Sequence, residues 1–277
     1  MSFNFNSLIE RDETKTLVVD ALNLAFRWKH QRRTDFRHEY IATVQSLARS
    51  YKCTKIIITA DQGSSEYRKR IQPTYKQNRK DKYANQTPEE ERAFKEFILE
   101  YEQTLLLLED EHTLLRIKGV EADDIAAYLV KYKNKYNLGK MVLISSDKDW
   151  DLLVQEGVMR FSYVTRKEVT KDNWNDHYNV PHEQYACYKC LIGDKGDNVP
   201  GITGIGPKRA KQLLDEYGSA YNIYDSLPID SNYKYIQELN KYPDLILRNY
   251  ELMDLLTHCD EAIGFCYGLE ELERRLQ

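Results

Sequence analysis

Three short stretches of the chain carry apolar residues almost without interruption and end on an acid: Thr16-Leu-Val-Val-Asp20, Lys55-Ile-Ile-Ile-Thr-Ala-Asp61 and Met141-Val-Leu-Ile-Ser-Ser-Asp147. Runs this short, rich in β-branched residues and lacking polar alternation, predict strands of a parallel sheet covered on both faces. Between them apolar positions recur at helical spacing. Ile41, Val44, Leu47 and Ala48 do so within residues 40–51, and Ile125, Tyr128, Leu129 and Tyr132 within residues 121–136. Such spacing places them on one face of a helix. A longer helix is predicted over Pro88–Glu111, whose opening Pro-Glu-Glu-Glu suits a helix N-terminus sterically and electrostatically. Strands alternating with helices predict an α/β fold with a central, mostly parallel sheet. From about Pro181 the strand pattern stops. The remainder reads as helices broken by Gly-Asp-Lys-Gly-Asp-Asn and by Gly-Ile-Thr-Gly-Ile-Gly-Pro. The expected organisation is an α/β core over residues 1–180 and a helical extension over 181–277.

Composition narrows the class. With 277 residues, 42% of them apolar, the chain can bury a full core. No apolar run approaches the roughly 20 residues that span a bilayer. The opening Met-Ser-Phe-Asn-Phe-Asn-Ser-Leu-Ile-Glu-Arg-Asp-Glu-Thr-Lys lacks the basic and apolar regions of a secretory leader, so a cytoplasmic protein is expected, without a membrane partner. Five scattered cysteines argue against a disulfide framework. The lone Cys187-Tyr-Lys-Cys190 pair has no second pair to complete a zinc site and predicts two thiols on a buried helix face.

The acids carry the chemistry. Ligands of an open parallel sheet bind at the rim formed by the carboxyl ends of its strands. Asp20, Asp61 and Asp147 are predicted to converge there. Asp149 follows at once, Glu121, Asp123 and Asp124 open a helix, and Asp194 and Asp197 share a glycine-rich loop. Singly, each has an ordinary explanation as a helix cap, a macrodipole partner or a turn residue. Nine carboxylates in five segments would repel one another without cations. Magnesium takes oxygen ligands, and paired divalent ions suit in-line phosphodiester displacement. The net charge of −4 does not exclude a nucleic-acid partner, because removing these nine charges moves the balance to +5. No nucleotide-binding glycine loop competes with this reading.

Val-Glu-Ala-Asp-Asp at 120–124, Ser-Ser-Asp-Lys-Asp-Trp at 145–150 and Gly-Asp-Lys-Gly-Asp-Asn-Val-Pro-Gly-Ile-Thr-Gly-Ile-Gly at 193–206 together resemble the motifs of the 5′-nucleases. That family includes the bacteriophage flap endonucleases and the 5′-nuclease domain of bacterial DNA polymerase I, and the chain looks most like the bacteriophage members. The resemblance follows the order of segments along nearly the whole chain. It implies a PIN-like α/β core, a helical arch over about 66–111 and a C-terminal helix-hairpin-helix (helix-three-turn-helix) extension. It further implies a first-metal shell of Asp20, Asp61, Glu121, Asp123 and Asp124, with Asp147 between the ions. Asp149, Asp194 and Asp197 fall around the second ion. The ions would be Mg2+, with Mn2+ as a substitute. Neither an attached polymerase nor a sliding-clamp tail is expected.

Residues 66–83 interleave seven lysines and arginines with Tyr67, Tyr75 and Tyr83. Cations neutralise phosphates and aromatic rings stack unpaired bases, whereas a solvated basic loop is the plainer alternative. Arg68, Lys69 and Arg70 belong to this DNA-facing set. The resemblance assigns Tyr75 to stacking beside the scissile phosphate, and Lys76 and Arg79 to contacting that phosphate at the foot of the arch. Gly204-Ile-Gly206-Pro-Lys208-Arg209 reads as a hairpin whose backbone approaches a phosphate. Relatives often hold K+ there. Arg27, Lys29 and His30 are candidates for the template strand, or for a solvated surface. The expected function is that of a monomeric structure-specific 5′-nuclease acting on DNA with 5′ flaps or single-strand/duplex junctions, with flap endonuclease and 5′-3′ exonuclease activity. A non-catalytic junction binder has no use for nine repelling acids. A PIN-like single-strand ribonuclease would lack the hairpin and the long 62–120 insertion. Removal of RNA primers stays open.

Overall fold

A computed structural model describes residues 14–277, so the expectation about a leader falls on residues outside the described ones. Six strands form one sheet: β1 (Lys15–Asp20), β2 (Lys55–Gln62), β3 (Thr113–Lys118), β4 (Lys140–Ile144), β5 (Val158–Ser162) and β6 (Lys167–Val169). Their order is β3-β2-β1-β4-β5-β6, with every pair parallel except β5–β6. Three of these strands were predicted. β3 is half-buried and mixed with Arg116 and Lys118, while β5 and β6 are short and interrupted by Arg160, Lys167 and Glu168, so none shows an uninterrupted apolar run.

The two faces explain the continuous apolar runs. Along β1, Val18 joins one core while Leu17 and Val19 join the other. β2 and β4 alternate likewise, with Ile57, Met141 and Leu143 on one side and Ile58, Val142 and Ile144 on the other. Period-2 geometry sends successive side chains to opposite faces, and here both faces are dry. Helices α1 (Ala21–His30), α2 (Arg37–Tyr51), α3 (Glu66–Ile71), α4 (Gln77–Ala84), α5 (Pro88–Glu111) and α6 (Ala122–Lys131) lie between the strands. α5 spans the predicted residues, starting from a Thr87–Glu90 capping box. α6 ends five residues before the predicted position 136, in turns through Asn137 and Gly139, both with positive φ.

After residue 180 come α7 (Tyr185–Ile192), the two-residue pair β7 (Gly193–Asp194) and β8 (Val199–Pro200), α8 (Pro207–Tyr217), α9 (Ala220–Asp225), α10 (Lys234–Lys241), α11 (Asp244–Met253), α12 (Leu255–Phe265) and α13 (Leu269–Leu276). Helices α7 to α11 enclose a third core around Cys190, Leu191, Leu213, Leu214 and Ile246. Cys187 and Cys190 are buried free thiols, as the spacing predicted. α12 and α13 return to the sheet: Leu255, Cys259, Ile263, Leu272 and Leu276 share a core with β1 and α6. Among the described residues no helix is long and apolar enough to cross a membrane.

Candidate active site

The sheet itself creates the site. The chain winds outward from β1 through β2 to β3, then crosses back to lay β4 against the other side of β1. A crevice opens where the winding direction reverses. Asp20 ends β1, Asp61 lies one residue from the end of β2, and Asp147 follows β4. Asp147 is not part of its strand, which ends at Ile144. It caps the 3-10 turn Lys148–Leu153, with Asp149 N donating to its Oδ1 at 2.9 Å.

The capping explanation and the cluster explanation hold together. Asp20 accepts from Asn23 N at 3.2 Å, capping α1, and from Ser145 Oγ at 2.7 Å. Asp61 accepts from Ala122 N at 2.7 Å. Asp123 accepts from Trp150 Nε1 at 2.6 Å. These bonds fix each carboxylate while leaving it lone pairs. Their mutual effect shows in their proton affinities. Burial, then the neighbouring Asp61, lifts the Asp20 carboxyl from 3.8 to about 8. Burial, then Asp147, lifts Asp123 well above the ordinary range, and burial, then Glu121, raises Asp61. Asp149 is pushed up to about 6 by burial, against the pull of Lys189. Like charges crowded in a low-dielectric pit account for all four.

Cations line the opposite wall. Lys76 Nζ lies 2.8 Å from Glu121 Oε1 and 3.6 Å from Asp197 Oδ2. Burial raises the Glu121 carboxyl, but Lys76 and Arg68 outweigh it and hold Glu121 at about 2. Arg79 pairs with Asp197. Lys189 pairs with Asp149 and lies 3.4 Å from Asp194. The pattern of acids did not reveal Lys189. Its signal is a single lysine in the otherwise apolar helix Tyr-Ala-Cys-Tyr-Lys-Cys-Leu-Ile, where burial of a charge needs a partner. The foot of the arch is also stitched to the loop bearing Asp194 and Asp197. Lys76 N donates to Asp197 O at 2.8 Å, Asn198 Nδ2 to Thr74 O at 2.7 Å, and Asn78 Nδ2 to Lys195 O at 2.8 Å. That loop is pinned by glycine: a Cβ on Gly193 (φ +72°) would lie 2.2 Å from Gly201 N. Asn249, buried on α11, donates to both Cys190 O and Pro200 O across it.

Three of the expected site residues lie inside the protein and are engaged with one another or with the acids. Arg68 is 2% exposed and forms a two-pronged pair with Asp124, both bonds at 2.7 Å, so its guanidinium is engaged inside the protein. Asp124 is fully buried and both its oxygens are held by that guanidinium, which removes it from the group facing the pit. Tyr75 is 4% exposed, and its hydroxyl binds Glu121 at 3.0 Å and Asp197 at 2.9 Å, so its ring is packed inside instead of offered to a base. The sequence hid these outcomes because a basic run reads as surface until a buried acid claims one of its members.

The remaining positions are accessible or partly so. Lys69 is half-buried, and Arg70 lies over the Tyr67 and Phe265 rings. Arg27 bonds Tyr163, and Lys29 sits 4.2 Å from the Phe94 ring centre. Gly204 has φ +81°. Lys208 and Arg209 are exposed at the start of α8, where Arg209 Nη1 donates to Gly204 O at 2.6 Å and stacks on Tyr235.

The donor set in the pit is oxygen throughout, the chemistry of a hard divalent cation. Among the described residues no three acids converge on one point as they stand, and Lys76 and Lys189 lie among them. The residues therefore fit divalent ions chemically, with side-chain rotation needed to complete a shell.

Known proteins match this chain in sequence and in fold. Residues 15–179 match the family model described as 5′-3′ exonuclease, N-terminal resolvase-like domain. Residues 180–274 match the 5′-3′ exonuclease, C-terminal SAM fold. The flap endonuclease of Escherichia phage T5 is 40% identical over 273 residues, covering 95% of this chain and 93% of that protein. A 5′-3′ exonuclease of Aquifex aeolicus is 37% identical over 53% of this chain and 49% of its own. Among solved structures, the phage T5 flap endonuclease in a pseudo-enzyme–product complex with DNA and metal ions superposes with a TM-score of 0.89 at 39% identity. That match covers 95% of this chain and 96% of that one. The T5 5′-exonuclease with bound divalent zinc also scores 0.89 at 39% identity, covering 95% and 97%. The catalytic core of Rad2 with DNA substrate shares the fold alone, with a TM-score of 0.52 at 14% identity. The chain belongs to the flap endonuclease/5′-3′ exonuclease family, and it is a nuclease.

Proposed function

We propose that the chain cuts DNA where a single-stranded 5′ arm meets duplex, leaving 5′-phosphate and 3′-hydroxyl ends. The observation that carries this reading is the oxygen-only pit at the sheet's switch point, walled by Lys76 and Arg79 from the arch and Lys189 from α7. Asp20, Asp61, Glu121 and Asp123 form one half of the ligand set, Asp149, Asp194 and Asp197 the other, with Asp147 between them. Mg2+ is the expected ion, with Mn2+ as a substitute. Divalent ions held there would polarise the phosphoryl oxygen and lower the pKa of a water. The protein's own part is placement. Lys76 and Arg79 sit where they can exchange Asp197 and Glu121 for a phosphate, offering fixed positive charge to the pentacovalent state. Lys208 and the free N–H groups of α8 would take a duplex phosphate. The same turn is the expected place for a K+ ion. The α/β core to residue 180 carries most of the acids, the helical extension beyond it adds Lys189, Asp194 and Asp197 to the pit along with the grip on duplex, and the protein would act as a monomer in the cytoplasm of the cell it occupies.

The test is a labelled 5′-flap duplex incubated with and without Mg2+, with the cut mapped. Cleavage at the junction only with the ion is expected. An intact flap at every metal concentration would end this reading.

A further inference from the structure

One buried ion pair lies beside the acids without belonging to them. Arg160, on β5, is 5% exposed, and Asp151, in the 148–153 turn, is fully buried. Arg160 Nε donates to Asp151 Oδ1, Nη2 donates to Asp151 Oδ2 at 2.8 Å, and Nη1 donates to the Ser145 carbonyl at 3.0 Å. A single planar group therefore grips both ends of the segment 145–151, whose middle carries Asp147 and Asp149. The segment is tied down elsewhere too. Tyr178 OH donates to Asp151 Oδ2 while its ring stacks on Trp174 at 4.4 Å. Ser145 Oγ donates to Asp20 Oδ2 at 2.7 Å and accepts from Asp147 N at 3.1 Å.

We propose that Arg160 is a positioning residue for the cleavage reaction, its guanidinium stapling Ser145 to Asp151 so that Asp147 and Asp149 face the pit together. The inference rests on the metal-dependent reading above. A buried pair is a weak source of net stability, and apolar residues of similar volume often replace one at no cost. What apolar residues cannot supply is three donors in a fixed plane, and neither can lysine, which presents a point charge. Partners that orient ligand side chains typically govern metal affinity or activity by about 10- to 100-fold.

Two variants test the staple. Arg160→Met/Asp151→Leu removes both charges without stranding a buried carboxylate, and Arg160→Lys keeps the charge but loses the fork. Each is compared with wild type by thermal midpoint, by flap affinity in EDTA, by Mn2+ binding followed by electron paramagnetic resonance without DNA, and by single-turnover cleavage. Both should fold and hold the flap within about twofold of wild type, while Mn2+ affinity and the cleavage rate fall together by about 10- to 100-fold. The rate should recover in part at high Mn2+. A folded double variant with wild-type Mn2+ affinity and rate overturns the proposal. If the double variant does not fold, Arg160→Lys decides, and unchanged Mn2+ affinity there overturns it equally. Failure of the underlying reading looks different, because wild type itself would then show no divalent-dependent cleavage.

Discussion

At the scale of single residues, charge placement decides roles. Lys76 is partly buried and paired with two acids of the pit, which suits a fixed cation better than a swinging tether. Lys76→Ala is expected to lower the single-turnover rate by at least about 100-fold, roughly 2.7 kcal/mol of barrier, with flap affinity changed only a few-fold. A variant that loses affinity but keeps its saturated rate would make Lys76 a tether. Asp147→Asn is expected to abolish cleavage and spare DNA binding. Retention within about tenfold, roughly 1.4 kcal/mol, would remove Asp147 from the site. The acids stood out in the sequence because they fall at or just after strand ends, at a helix start or in a glycine-rich loop. Lys189, Arg160 and Asn249 did not, since their meaning lies in partners 40, 9 and 59 residues away along the chain.

At the scale of elements, short pieces are held by a few polar anchors. α3 has only six residues, and Arg68 fastens it to α6 through Asp124 and to the Leu252 carbonyl at 3.1 Å. Arg68→Met would strand the Asp124 charge and should cost about 3–5 kcal/mol in denaturant unfolding, whereas Arg68→Met/Asp124→Leu should recover most of it. Equal losses in both variants would mean that the guanidinium's other contacts matter more. The hairpin at α8 divides its two cations. Lys208→Ala should reduce the log–log salt slope of duplex binding by about 0.9, the contribution of one phosphate contact. Arg209, already committed to Gly204 and Tyr235, should change hairpin stability more than that slope. An unchanged slope for Lys208→Ala would take it off the DNA. Strands β1, β2 and β4 were readable because both faces are apolar, and β3, β5 and β6 were not because each breaks its apolar run with charge.

At the scale of the whole molecule, the crowded acids link pH to stability. The folded protein keeps a proton on Asp20 up to about pH 8, while the unfolded chain releases it near 3.8. The folded state therefore binds more protons between those values, and stability falls as pH rises through that window. Asp149, with its carboxyl at about 6, acts in the same direction. Divalent ions should offset the repulsion, so the rise in thermal midpoint on adding Mg2+ should be larger at pH 8 than at pH 5. An equal rise at both would separate metal binding from these carboxylates.

The excursion from β2 to β3 has a topological consequence. These strands are neighbours in the sheet, yet residues 63–112 leave one and return to the other, and the foot of the excursion is stitched to the loop at 194–198. If the 5′ arm passes beneath this span, the intact chain is a closed ring, and a strand whose end is capped by a bulky block cannot enter it. A block added before the enzyme should stop cleavage, whereas one added after the complex forms should not. A circular permutant opened between Asn85 and Gln86, with the old termini joined, would keep every acid and stitch but turn the ring into a clasp. Such a clasp should accept the capped strand from the side, and capping would no longer matter.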